Sequence, residues 1–139
     1  MQLDYVQAFS QAPIEKDLYL KVPAGFQVEY GDKNDYALKL HRNIYCQKES
    51  GRVWYKYLIK NLQMELEFTK SEIDECVFYR ESVMYILYIY DSIIAGPNLE
   101  KLDAIVKDLR KANLVVTVEG TLEDLFVLKI AEEKMSSST

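Results

Sequence analysis

Histidine and cysteine are scarce: among 139 residues there are one histidine, His41, and two cysteines, Cys46 and Cys76. The cysteines lie far apart with no CxxC spacing, which argues against a structural zinc site. Two free thiols suit a reducing compartment. No apolar run approaches the roughly 20 residues that a membrane helix needs. In place of a basic segment followed by an apolar core, the N-terminus carries Asp4 within its first residues, which argues against a secretory signal. Positive charge is also short. A net charge of −5 argues against a free-standing nucleic-acid binder, because neutralising phosphates requires clustered Lys and Arg. The expectation is an intracellular protein, cytoplasmic or nuclear, with no membrane association, forming one domain or part of one.

What is present is apolar and aromatic. Hydrophobic residues make up 49% and charged residues 28%, the balance of a chain that buries a core. The stretch 76–96 dominates. Within it, residues 83–90 are β-branched, aromatic or aliphatic, which predicts a strand buried on both faces or nearly so. Glu81-Ser82 can close a hairpin between 76–80 and 83–90, leaving Asp91 just past the second strand. A carboxylate against such a wall is costly unless it is solvated, paired, hydrogen-bonded or holding a metal. A solvated cap at a strand end and a ligand-bearing site are both open readings for an isolated Asp.

Strand alternation is predicted over 1–6, delivering Asp4 near its end, and again over 18–22 and 36–40, with turns at Pro23-Ala24-Gly25 and across 31–35. From 51 to 68 the period changes. Trp54, Tyr55, Leu58, Leu62 and Leu66 recur at three- and four-residue steps, the stripe of an amphipathic helix, which fits core packing better than base stacking. Asn98 is the expected N-cap of a second helix whose buried face is Leu99, Leu102, Ile105, Val106 and Leu109. Strands are predicted at 113–118 and 125–130, and 132–139 reads as a disordered tail. The order implies an α+β fold with helices on one face of an antiparallel sheet, occupying residues 1–131.

Tyr88-Ile89-Tyr90-Asp91 followed by Ser92-Ile93-Ile94-Ala95-Gly96 resembles the tyrosine-x-aspartate-aspartate hairpin of reverse transcriptases, in the version used by copia-type LTR retrotransposons. Met1-Gln2-Leu3-Asp4-Tyr5-Val6-Gln7-Ala8-Phe9 resembles the first catalytic motif of that family. Leu18-Tyr19-Leu20-Lys21-Val22-Pro23-Ala24-Gly25-Phe26 resembles its next landmark. Ile44-Tyr45-Cys46-Gln47-Lys48-Glu49-Ser50-Gly51-Arg52-Val53-Trp54-Tyr55 resembles the motif leading into the template-side helix, and Asp74-Glu75-Cys76-Val77-Phe78-Tyr79 the first hairpin strand. The resemblance covers almost the whole chain, with the motifs in order. It implies a polymerase palm-like architecture, a partial reverse transcriptase fold, with Asp4 beside Asp91.

The implied chemistry is RNA-directed DNA synthesis by two Mg²⁺ ions on three aspartates, acting on a template-primer and dNTP within a Pol polyprotein. Hard cations want oxygen ligands, and a pair of them needs several negative charges close together. Asp4 and Asp91 match the first and last of the three aspartates. Tyr90 stands where the middle one is expected, and a phenol with pKa near 10 brings no charge at pH 7. Phe9 falls where the family keeps an aromatic residue that selects deoxynucleotides. Lys48 and Arg52 fall in the template-side motif as nucleotide-binding candidates, although exposed cations near a helix start are commonly only solvated.

Further departures point to decay. Cys46 replaces a glycine after Tyr45 and would be strained if the backbone there needs φ > 0. Leu125-Phe126-Val127-Leu128 lacks the glycine of the family's primer-gripping step. The family's fingers segment is expected upstream of the first motif and outside this chain. The reading is polymerase ancestry with impaired nucleotidyl transfer. The alternatives are a non-catalytic remnant or an unrelated α+β nucleic-acid-binding module.

Overall fold

The computed structural model describes residues 1–89 and 91–120. Tyr90, the strand expected at 125–130 and the tail at 132–139 lie outside the described residues. Among the described residues, eight strands and three α-helices run in the order β1 (Gln2–Tyr5), α1 (Ala8–Gln11), β2 (Tyr19–Lys21), β3 (Ala37–Lys39), α2 (Ser50–Lys60), β4 (Thr69–Lys70), β5 (Val77–Arg80), β6 (Val83–Tyr88), β7 (Asp91–Ala95), α3 (Leu99–Lys111) and β8 (Val116–Glu119). Six strands form one antiparallel sheet ordered β4-β5-β6-β7-β1-β8, and β2 pairs with β3 as a separate ribbon. The fold is α+β, as the order of elements implied. Among the described residues no helix is long and apolar enough to cross a membrane.

The sheet has two unlike faces. Leu3, Tyr5, Phe78, Val83, Tyr85, Leu87, Ser92 and Ile94 are buried on one face, in register across β1, β5, β6 and β7. Val53, Trp54, Leu58 and Leu62 from the first long helix, with Leu102, Ile105, Val106 and Leu109 from α3, join this face in a single core. The opposite face holds Asp4, Met84, Ile86, Asp91 and Ile93, all half-buried. Residues 83–90 were expected to be buried on both faces. Instead β6 buries Val83, Tyr85 and Leu87 on one side, half-exposes Met84 and Ile86 on the other, and ends at Tyr88. An unbroken apolar run hides this alternation, because the second face is apolar as well.

Hairpin closure at Glu81-Ser82 is as predicted, with Arg80 opposite Val83 and Glu81 left-handed at φ 51°. Asp91 is not a loop residue past the hairpin. It begins β7, a strand absent from the sequence reading, because Tyr88 already pairs with Asp91 across a two-residue link. Asn98 caps α3 as expected, its Oδ1 accepting the Lys101 amide at 2.9 Å. Leu99, expected in the core, is 70% exposed. The helix meets the sheet from Leu102 onwards, where a Cβ on Gly96 would lie 3.0 Å from Leu102 Cδ2 and 3.2 Å from Val83 Cγ2.

Asn113 closes α3 in the left-handed region (φ 62°) and does not start the next strand, which runs from Val116. The other long helix is α-helical only to Lys60. Its last turn, Asn61–Glu65, is a π-turn in which the Leu66 amide reaches the Asn61 carbonyl, while the Asn61 side chain donates to the Tyr57 carbonyl.

Candidate functional site

Strand pairing alone puts the two predicted carboxylates together. Asp4 on β1 lies directly opposite Asp91 on β7. Two ladder bonds close by show what kind of pair it is: the Ile94 amide donates to the Met1 carbonyl at 2.9 Å, and the Met1 ammonium to the Ile94 carbonyl at 3.0 Å. Pairs alternate along an antiparallel ladder, and Met1–Ile94 is a bonded one. Asp4–Asp91, three steps on, is therefore non-bonded, the class with Cα atoms only about 4.5 Å apart and side chains closest. Both side chains leave the sheet on the same face. The β6–β7 hairpin supplies one aspartate and the N-terminal strand the other, so the site exists only in the folded chain.

Its electrostatics are unbalanced. Burial pushes the Asp91 carboxyl above its ordinary value, and the charge of Asp4 raises it further. Among the described residues no cation pairs with either carboxylate, and no donor hydrogen-bonds to their oxygens. Two like charges held side by side in this way favour a shared proton or a cation. A cavity of about 400 Å³ opens on the β6 side of Asp91, with Asp91, Tyr88, Ile86, Ile93 and Cys76 on its walls. Hard cations such as Mg²⁺ are commonly held by one or two carboxylates together with water and substrate phosphates, so this donor set fits one ion. Among the described residues no three acidic, histidine or cysteine side chains are placed to hold a metal ion together, and the donor set for two ions is not met there.

Beneath the pair runs a buried polar chain that the sequence reading missed. Tyr85 Oη donates to Ser92 Oγ at 2.7 Å and lies 2.6 Å from Tyr5 Oη, so Tyr5 is the donor of that second bond. Burial pushes both phenols upward in pKa, which keeps them protonated. The chain crosses β1, β7 and β6 on the core face, and Tyr5 and Ser92 are sequence neighbours of Asp4 and Asp91. A polar atom recurring on the otherwise apolar parity of three strands was the available signal.

Phe9 sits half-buried on α1, where its ring meets that of Tyr45 at 4.7 Å, joining the first motif to the template-side motif. Cys46, next in the chain, has φ 65°, the left-handed conformation that the family's glycine would adopt freely. Arg52 is engaged by carboxylates, 3.5 Å from Glu49 and 3.8 Å from Glu15. Glu49 is held below its ordinary pKa, first by Lys16 and then by Arg52. Lys48 is exposed, with no ion pair among the described residues. Trp54 is buried in the core, as its helical spacing suggested, and its indole N–H reaches the Ile89 carbonyl at 3.2 Å.

Comparison with known proteins gives a consistent result. Residues 1–133 match the family described as reverse transcriptase (RNA-dependent DNA polymerase). The chain is 26% identical over 140 residues to the retrovirus-related Pol polyprotein from transposon TNT 1-94 of Nicotiana tabacum, covering 97% of this chain and 10% of that protein. It is 33% identical over 99 residues to the retrovirus-related Pol polyprotein from transposon RE1 of Arabidopsis thaliana, covering 68% of the chain and 6% of that protein. It is 32% identical over 114 residues to the truncated transposon Ty1-A Gag-Pol polyprotein of Saccharomyces cerevisiae, covering 79% of the chain and 9% of that protein. The chain thus spans a tenth or less of the length of these relatives. No solved structure matches.

Proposed function

Because the chain belongs to the reverse transcriptase (RNA-dependent DNA polymerase) family, in its copia-type retrotransposon branch, we propose that residues 1–131 form a palm-like catalytic region with impaired nucleotidyl-transfer chemistry. The observation that supports this most is the Asp4–Asp91 pair, two carboxylates in register on the open face of the sheet with no described donor or cation. In this reading Asp4 and Asp91 hold a divalent ion. Such an ion, when bound, supplies Lewis-acid polarisation of a primer hydroxyl and offsets phosphate charge. Phe9 lies against the nucleotide sugar, and Lys48 and Arg52 face its phosphates or the template. The partners are a template-primer, a dNTP and the remainder of a Pol polyprotein.

Tyr90 is the reason for impairment. It replaces the third carboxylate, and loss of a principal electrostatic stabiliser costs at least about 10²–10³ in rate. The test has two arms. Titration with Mn²⁺, followed by NMR broadening, is expected to affect Asp4 and Asp91 first and saturably; uniform weak broadening over all surface carboxylates would dispose of the ion site. Tyr90→Asp, placed in a longer polyprotein segment that includes the flanking regions, is expected to raise primer extension by at least about 10²-fold over the Tyr90 parent. Equal extension by both would remove Tyr90 as the cause of impairment.

A further inference from the structure

The link from β6 to β7, the hairpin strand that carries Asp91, holds Ile89 in an unfavourable conformation. Ile89 has φ 54°, and a β-branched residue in the left-handed region is a conformational outlier that persists only where surrounding contacts hold it. One such contact is identifiable. The Ile89 carbonyl accepts the indole N–H of Trp54 at 3.2 Å, from a side chain 1% exposed on the helix Ser50–Lys60. The same indole meets the Tyr5 ring edge-on, with centroids 5.1 Å apart. Tyr5 adjoins Asp4, and Ile89 is two residues before Asp91. A single rigid side chain therefore touches both segments that bring the carboxylates together, from the core side of the sheet. Helical spacing accounts for the burial of Trp54 but not for a polar bond to a turn that lies three strands further along the chain.

We propose that Trp54 is a positioning residue for the Asp4–Asp91 pair, its indole N–H fixing the turn at Ile89 while its ring fixes β1 through Tyr5. The proposal rests on the reading of that pair as the cation site, and it predicts effects at the turn whether or not an ion binds. Phenylalanine lacks the N–H and is smaller. Benzothienylalanine keeps the bicyclic shape and lacks only the N–H, so it isolates the hydrogen bond even if Trp54→Phe fails to fold.

The experiment is site-resolved amide hydrogen exchange on the full chain, with and without Mn²⁺, for wild type, Trp54→Phe and the benzothienylalanine protein. The expected result is exchange at Tyr88 and Asp91 faster by about five- to tenfold, the scale of one lost net hydrogen bond, with β1 and β5 amides unchanged. A Mn²⁺ affinity weakened by a similar factor accompanies it. Wild-type exchange at the turn in the benzothienylalanine protein overturns the proposal, as does acceleration spread evenly over the sheet, which signifies packing alone. If the wild type does not bind Mn²⁺, the cation reading fails, and turn exchange still decides the role of Trp54.

Discussion

Removing one hydroxyl, in Tyr85→Phe, tests the buried polar chain under the carboxylate pair. Tyr85 Oη is the middle member, donating to Ser92 Oγ at 2.7 Å and accepting from Tyr5 Oη at 2.6 Å. Its loss breaks two bonds and strands two hydroxyls among side chains at most 1% exposed. A net bond contributes about 1 kcal/mol, and an unsatisfied buried group costs about 1–3 kcal/mol, which overlaps with the first figure, so the expected destabilisation is about 2–4 kcal/mol. Phe and Tyr are nearly isosteric, and no cavity term enters.

Urea unfolding monitored by circular dichroism measures the difference, with an unchanged m-value showing that both states expose the same surface. A second variant separates hydrogen bonding from packing. Tyr5→Phe, Tyr85→Phe and Ser92→Ala together remove every polar atom of the chain, and such a replacement is expected to lie within about 1 kcal/mol of wild type after the small loss at Ser92. A loss below about 0.5 kcal/mol for Tyr85→Phe would refute the reasoning. So would a triple variant as unstable as the single one.

Three other perturbations have defined outcomes. Cys46→Gly relieves the left-handed strain at φ 65° and is expected to raise stability by about 1 kcal/mol, read as a higher urea midpoint; a lower midpoint would mean the thiol contributes more than the strain costs. Gly96→Ala puts a methyl 3.2 Å from the stiff Val83 and 3.0 Å from the more mobile Leu102, and is expected to cost about 1 kcal/mol, checked by the same assay. The third concerns pH. The folded-state pKa of Asp91 is raised by burial and by Asp4, so the native chain binds the proton more tightly than the unfolded chain. Its contribution favours folding at pH below the ordinary 3.8 and is lost as pH rises through the raised folded value. Asp4→Asn removes the second cause, so its unfolding midpoint gains on wild type as pH climbs through that window. Parallel pH profiles for the two proteins would contradict the coupling.

The amphipathic helices, the Glu81-Ser82 turn, the Asn98 cap and the family were legible because each depends on local spacing or on residue identity at a motif position. Asp4 and Asp91 were legible for the same reason, as members of ordered motifs. Less legible was the strand β7: residues 83–90 form one apolar run, and periodicity by itself does not show that β6 ends at Tyr88 and a new strand starts at Asp91. Leu99 was misassigned since helical spacing specifies a face but not how far the sheet beneath it extends.

Sequence by itself determined the family, the α+β composition and the two aspartates, because these follow from residue order and periodicity. Tertiary structure alone decided that the Asp4–Asp91 pair is a directly opposed, non-bonded one, that Tyr5, Tyr85 and Ser92 join beneath it, and that Trp54 reaches the Ile89 carbonyl. Those contacts join residues 35 to 80 or more positions apart, apart from Tyr85–Ser92, and depend on strand register. A shift of one residue in pairing turns every side chain to the other face, and no local pattern specifies that choice.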